Sequence, residues 1–212
     1  EKEMMEIPEV IENTLRGRLM IEEGEAKLGG LIDVAQKLKN IKRLIIVGCG
    51  TAYYAGLVGE YLIESLAHIP VEVELASEFR YRNPVIEEGT AVLAVSQSGE
   101  TIDTLEAIRE GKRRGAFTLG IVNVVGSTIA RETDAGVYNH AGPEIGVAST
   151  KAFVSQLIVL SLFALHLGRE RDMTSEEGHS LTNALAALPD RSRANPAVGH
   201  CHRIPAGASQ RL

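Results

Sequence analysis

The chain has 212 residues, 44% hydrophobic and 24% charged, with 22 Lys and Arg against 28 Asp and Glu for a formal net charge of −6. That length suits one domain with helical extensions, burying roughly 70% of its unfolded surface, and the acidic balance excludes the footprint of a nucleic-acid binder. Two cysteines, Cys49 and Cys201, provide no disulfide framework, and no apolar run approaches the ~20 residues of a membrane span, so a cytoplasmic protein with no membrane partner is expected. The start Glu1-Lys2-Glu3 is neither a signal segment nor an initiator methionine and reads as a piece of a longer protein.

Residues 8–19 carry Val10, Ile11, Thr14 and Leu15 at helical spacing, with Pro8 where a first turn tolerates it. Gly29 and Gly30 break that pattern, and a second helix is expected over 31–38 with Ile32, Ala35 and Leu38 on one side. Residues 1–40 therefore form an N-terminal helical extension.

From Arg43 the texture changes to short apolar runs at 44–47, 71–75, 91–95, 117–122 and 135–138. Runs apolar on both faces suit buried parallel strands, with crossover helices over 51–66, 77–82, 101–114 and 127–132. The fold class is α/β, a five-stranded parallel sheet between helices in flavodoxin-like order 2-1-3-4-5. The chain then reverses between its first and third strands, which opens a ligand crevice at their carboxyl ends. Lys112, Arg113 and Arg114 close a helix, where cations are favoured.

Both loops leaving that crevice are rich in small and hydroxyl-bearing residues. Gly48-Cys49-Gly50-Thr51 follows the first strand and Ser96-Gln97-Ser98-Gly99-Glu100-Thr101 follows the third. A helix starting near Ser98 would point unpartnered N–H groups and a positive dipole end at an anion. Ser96, Ser98 and Thr101 add hydroxyls, Gln97 adds an amide, and Gly99 lets the backbone approach a ligand. A plainer account has Ser98 capping a helix whose first turn carries Glu100 and Asp103. It leaves Ser96, Gln97 and Thr101 unexplained.

Other chemistries fit less well. Tyr53 stands where a dinucleotide fingerprint wants its third glycine, and the strand acids Glu72 and Glu74 read as solvent-facing edge residues. Ser98-Gly99 lacks the Gly-x-Ser-x-Gly elbow of a hydrolase. His68, His140 and His166 read as packing or surface histidines, and the adjacent His200, Cys201 and His202 cannot readily face one metal ion. No metal or cofactor is expected.

A long helix over 150–167 follows the segment Pro143-Glu144-Ile145-Gly146-Val147-Ala148-Ser149. Its apolar residues cover most of its circumference, so either a partner surface or the N-terminal helices must cover it. Ser149 or Thr150 would cap it. Lys151 in its first turn calls for an anion nearby, with Glu144, a bound phosphate and simple solvation all open. Domain 41–189 ends where the pattern ends, and 190–212 reads as an irregular tail.

Four motifs in this order resemble the sugar isomerase (SIS) domain family: Cys49-Gly50-Thr51, Ala76-Ser77-Glu78-Phe79-Arg80-Tyr81-Arg82, residues 96–101, and Glu144-Ile145-Gly146-Val147-Ala148-Ser149-Thr150-Lys151-Ala152-Phe153. Within it they resemble the first of two such domains in the aminotransferases that make glucosamine 6-phosphate from fructose 6-phosphate and glutamine. The resemblance implies that Ser96, Gln97, Ser98 and Thr101 hold the phosphate of a hexose 6-phosphate. Gly50 and Thr51 would close the pocket, and Val147 would offer backbone contact to the sugar, with Glu144, Ser149 and Lys151 in support. Ala52 stands where the family usually has serine, one hydroxyl fewer. No catalytic residue is assigned, because the family's base, Schiff-base lysine and ring-opening histidine lie beyond this domain. A homodimer, a second SIS domain and a glutaminase domain are the implied partners. Competing readings are a non-catalytic module that senses an amino-sugar phosphate, and an assembly subunit built on the 150–167 helix.

Overall fold

The computed structural model describes residues 2–144 and 149–194. Its first elements are α1 (Lys2–Met5) and α2 (Ile7–Leu15), the second entered through Pro8 in its first turn. Helix α2 stops four residues short of the expected end. Gly17 takes a left-handed turn at φ +70°, and a two-stranded ribbon follows, β1 (Leu19–Met20) antiparallel to β2 (Glu25–Ala26). Residues 29–34 then wind as a 3-10 turn before α3 (Ala35–Lys39). The tighter winding corrects the expected phase, since Leu31 is buried while Ile32 is 61% exposed.

The sheet follows the expected plan. Strands β3 (Arg43–Gly48), β4 (Val71–Leu75), β5 (Thr90–Ser96), β6 (Phe117–Val122) and β7 (Ala135–Tyr138) pair in parallel in the order β4-β3-β5-β6-β7. The crossovers carry α4 (Thr51–Ala67), α5 (Ala76–Tyr81), α6 (Ile102–Arg113) and α7 (Thr128–Glu132). Alternation along the strands sorts side chains between two cores. Leu44, Ile46, Leu93 and Leu119 join the core beneath α4, whereas Ile45, Val47, Val92 and Ala94 meet Phe79, Ile108 and Ile129 on the other face. On edge strand β4, Glu72 is exposed and pairs with Arg43, whereas Glu74, expected to face solvent, is largely covered, its side chain 13% exposed, and pairs with Arg82.

Helix α8 (Lys151–Arg169) has 13 of its 19 residues buried. It packs against α4, α2 and β2, which resolves the open question of its cover in favour of a central helix under the N-terminal elements. Ser155 Oγ donates to the Asn139 carbonyl at 3.1 Å, and Thr14 on α2 comes within 3.1 Å of the same serine. With a mean hydropathy of 1.6, α8 is long and apolar enough to cross a membrane, contrary to the expectation that no segment approached that length. Its burial identifies it instead as a core helix. The N-terminal extension is thus part of the same core, since Ile11, Leu15, Leu28 and Leu31 join it.

Two helices had no counterpart in the expected elements, α9 (Ser175–Ala186) and α10 (Leu188–Arg193). Thr174 and Glu177 close a reciprocal capping box at the start of α9, a Thr-x-x-Glu signature present in the sequence. Residues 190–193 are therefore helical and not irregular. The remaining tail from 195, with His200, Cys201 and His202, lies outside the described residues.

Candidate functional site

The carboxyl ends of β3 and β5 open onto a cleft of about 320 Å³. It is built at the reversal of strand order, where two neighbouring parallel strands send their crossovers to opposite faces of the sheet. Its walls are Cys49, Gly50, Thr51 and Ala52 from the first loop, Val95 to Ser98 with Thr101 and Thr104 from the third, and Glu144, Ser149 and Gln156 from the α8 side.

The third loop holds its shape by internal bonds. Ser96 Oγ accepts from the Gly99 N–H at 3.1 Å and lies 3.4 Å from Thr101 Oγ1. Ser98 Oγ accepts from the Glu100 N–H at 3.1 Å. A hydroxyl that accepts still has its own proton to donate, so this network shapes the loop without consuming all its donors. Gly99 sits at φ +67° with Ser127 against it, where no side chain fits. Its carbonyl accepts from the Ile129 N–H at 3.0 Å, fastening the loop to α7.

The plain capping account of Ser98 is corrected here. Helix α6 begins at Ile102, with Thr101 at its N-cap making no side-chain cap bond. Its opening N–H groups are left to solvent or a ligand. Glu100 belongs to a different helix start, accepting from the Thr128 N–H of α7 at 2.7 Å. That hydrogen bond holds its carboxyl below the usual carboxylate range.

A second anion position, at the start of α8, is already filled. Glu144 accepts from the N–H groups of Thr150 at 2.6 Å and Lys151 at 3.0 Å, while Ser149 Oγ donates to it at 2.8 Å. The carboxylate meets the helix dipole, as a phosphate in that place would. Neither Ser149 nor Thr150 caps through its own side chain. Lys151 does not line the cleft. Its ammonium turns the other way and pairs with Glu6 at 2.6 Å.

The structure thus brings together Gly50, Thr51, Ser96, Gln97, Ser98, Thr101, Glu144 and Ser149. Val147 lies outside the described residues. Among the described lining residues there is no Lys, Arg or His, and the ionisable groups are Cys49 and Glu144. Such a cleft can hold an anion by hydroxyls, amide dipoles and a helix start, and Glu144 already accepts three bonds. Sequence reasoning missed Thr104, whose hydroxyl donates to Cys49 Sγ at 3.7 Å, and Gln156. The available signal for Gln156 was an amide inside a helix whose apolar residues cover most of its circumference.

Comparison with known proteins places this geometry in a wider setting. Residues 37–166 match the SIS domain family. The chain is 54% identical over 190 residues to a glutamine–fructose-6-phosphate aminotransferase (isomerizing) of Chlorobaculum tepidum, covering 90% of this chain and 31% of the relative. It is 51% identical over 189 residues to the protein of the same name from Thermus thermophilus, again across 31% of the relative. The chain thus spans less than a third of the length of these curated relatives. A solved structure described as the C-terminal domain of glucosamine-fructose-6-phosphate aminotransferase from Francisella tularensis superposes with a TM-score of 0.83 at 39% identity. That match covers 89% of this chain and 52% of the other.

Proposed function

Because the chain belongs to the SIS domain family, we propose that its cleft binds a hexose 6-phosphate as the sugar-phosphate-holding part of an enzyme making glucosamine 6-phosphate from fructose 6-phosphate and glutamine. The observation that carries the reading is the third loop, a cluster of hydroxyls and an amide beside the uncapped start of α6, at the switch point of the sheet. In this reading Ser96, Gln97, Ser98 and Thr101 surround the phosphate. Gly50 and Thr51 close over it, with Ser149 on the sugar side. The relatives' names support the choice of sugar, and Glu144 at α8 leaves the third loop as the better place for the anion.

Holding a substrate by its phosphate fixes the reacting carbons relative to catalytic groups, which is where such an enzyme gains rate. The acid–base groups for isomerisation and the ammonia from glutamine would come from a second SIS domain and a glutaminase domain, in a cytoplasmic dimer. This chain by itself binds and does not turn over.

Calorimetric titration with fructose 6-phosphate, glucosamine 6-phosphate and unphosphorylated fructose tests the reading, alongside an assay for glucosamine 6-phosphate formation from fructose 6-phosphate and glutamine. The expected result is binding of both phosphorylated sugars, none of fructose, and no product. Fructose binding as tight as that of its phosphate would overturn the cradle, and product formation would overturn the division of labour.

A further inference from the structure

Gln156 occupies the second turn of α8 with 1% of its surface exposed, and its side-chain carbonyl is buried without a hydrogen-bond partner. It lines the same cleft as the third loop, from the α8 side. An unpaired buried carbonyl is costly, and native structures retain one for a reason. Nearby hydroxyls are spent elsewhere. Thr104 donates to Cys49 Sγ, and Ser155, its neighbour on the helix, donates to the Asn139 carbonyl.

We infer that Gln156 is a specificity-determining residue whose carbonyl accepts a hydrogen bond from a hydroxyl of the sugar bound in the cleft. The inference rests on the proposed phosphosugar reading and deepens it. A phosphate presents acceptor oxygens, so it is the wrong match for an unpaired carbonyl, whereas the carbon skeleton of a hexose presents several O–H donors. The cleft then has two chemically distinct halves, donors at residues 96–101 for the anion and an acceptor at Gln156 for the sugar. A site that leaves a buried acceptor empty without its ligand hydroxyl discriminates against analogues lacking that hydroxyl.

The test compares the 212-residue chain with a Gln156→Met variant, each titrated with fructose 6-phosphate and with inorganic phosphate, and each melted without ligand. The expected result is unchanged affinity for inorganic phosphate and an about 2- to 13-fold weaker affinity for fructose 6-phosphate, the worth of one hydrogen bond. The unliganded variant melts no lower than the parent, because methionine of similar size removes the unpaired oxygen. A set of deoxy hexose 6-phosphates provides a second readout on the unmodified chain. Deleting one particular hydroxyl should cost the same factor there and nothing more in the variant.

Unchanged affinity of the variant for fructose 6-phosphate overturns the inference. So does a parallel loss for inorganic phosphate, which would mean that the amide's NH2 end serves the anion. If the variant does not fold, tolerance of every deoxy analogue by the unmodified chain overturns it. Failure of the unmodified chain to bind either ligand is a different outcome, refuting the phosphosugar reading and this inference with it.

Discussion

Substituting Gly99 by alanine isolates the backbone geometry on which the third loop depends. At φ +67° an L-residue is strained, at a cost of roughly 1–2 kcal/mol. The new Cβ would also lie 2.5 Å from Ser127 Cβ and closer still to its hydroxyl, on a side chain that is 3% exposed and has little room to move. Overpacking of this kind costs about 1–3 kcal/mol, and a stiffer unfolded chain returns about 0.4–1 kcal/mol. The expected net loss is therefore about 2–4 kcal/mol, read as a lower midpoint in urea unfolding with an unchanged slope. The double variant Gly99→Ala with Ser127→Gly separates the two terms. Ser127 caps nothing through its side chain, and its buried hydroxyl has no partner, so removing it carries little penalty of its own. The double variant should regain the steric part and keep the backbone part. A single variant within about 0.5 kcal/mol of the parent, the range of innocuous surface changes, would refute the reasoning. So would a double variant no more stable than the single one.

Three further outcomes follow from the packing and charge of the fold. Leu160 is wholly buried on α8 and lies against Gly59 of α4, so Leu160→Ala should cost about 2–5 kcal/mol in urea unfolding. A loss below 1 kcal/mol would mean that α8 is not the central helix. Thr174→Ala removes the capping box of α9 and should cost about 0.5–2 kcal/mol, checked by the same assay. Hydrogen bonds from Arg113 and then Arg114 pull the Glu110 carboxyl down to about 2 from its ordinary 4.5. Its folded pKa lies below the unfolded one, so its stabilisation is present above pH 4.5 and fades as pH falls toward 2. Glu110→Gln should accordingly be less stable than the parent at pH 7, with the gap narrowing at pH 3. A gap independent of pH would contradict the assigned cause.

The sheet was legible because its strands are buried on both faces, which writes each as an unbroken apolar run. All five runs appear in the structure in the expected order. The ribbon of β1 and β2 left no such trace, since two residues per strand are too few to show a period. The 3-10 turn over 29–34 misled the phase of Ile32 because three residues per turn and 3.6 diverge within a single winding. Helix α9 was overlooked although Thr174 and Glu177 announce it, its modest apolar content making the capping box the stronger signal. At the site, residue types and loop positions were legible, whereas the direction of a side chain was not. Lys151 turns to Glu6, and Glu100 serves α7, through contacts 145 and 28 residues apart in sequence. Gln156 was hidden for a related reason: an amide within an apolar helix gains meaning only once α8 is seen to border the cleft.

The most direct measurement is an amide chemical-shift map of the isotope-labelled chain titrated with fructose 6-phosphate. The expected result is that the largest changes fall on the N–H groups of Gln97, Ser98 and Thr101 and at the start of α6. Thr150 and Lys151, whose N–H groups already serve Glu144, should move less. Dominant shifts at Thr150 and Lys151, or none in the third loop at saturating ligand, would contradict a phosphate held by residues 96–101.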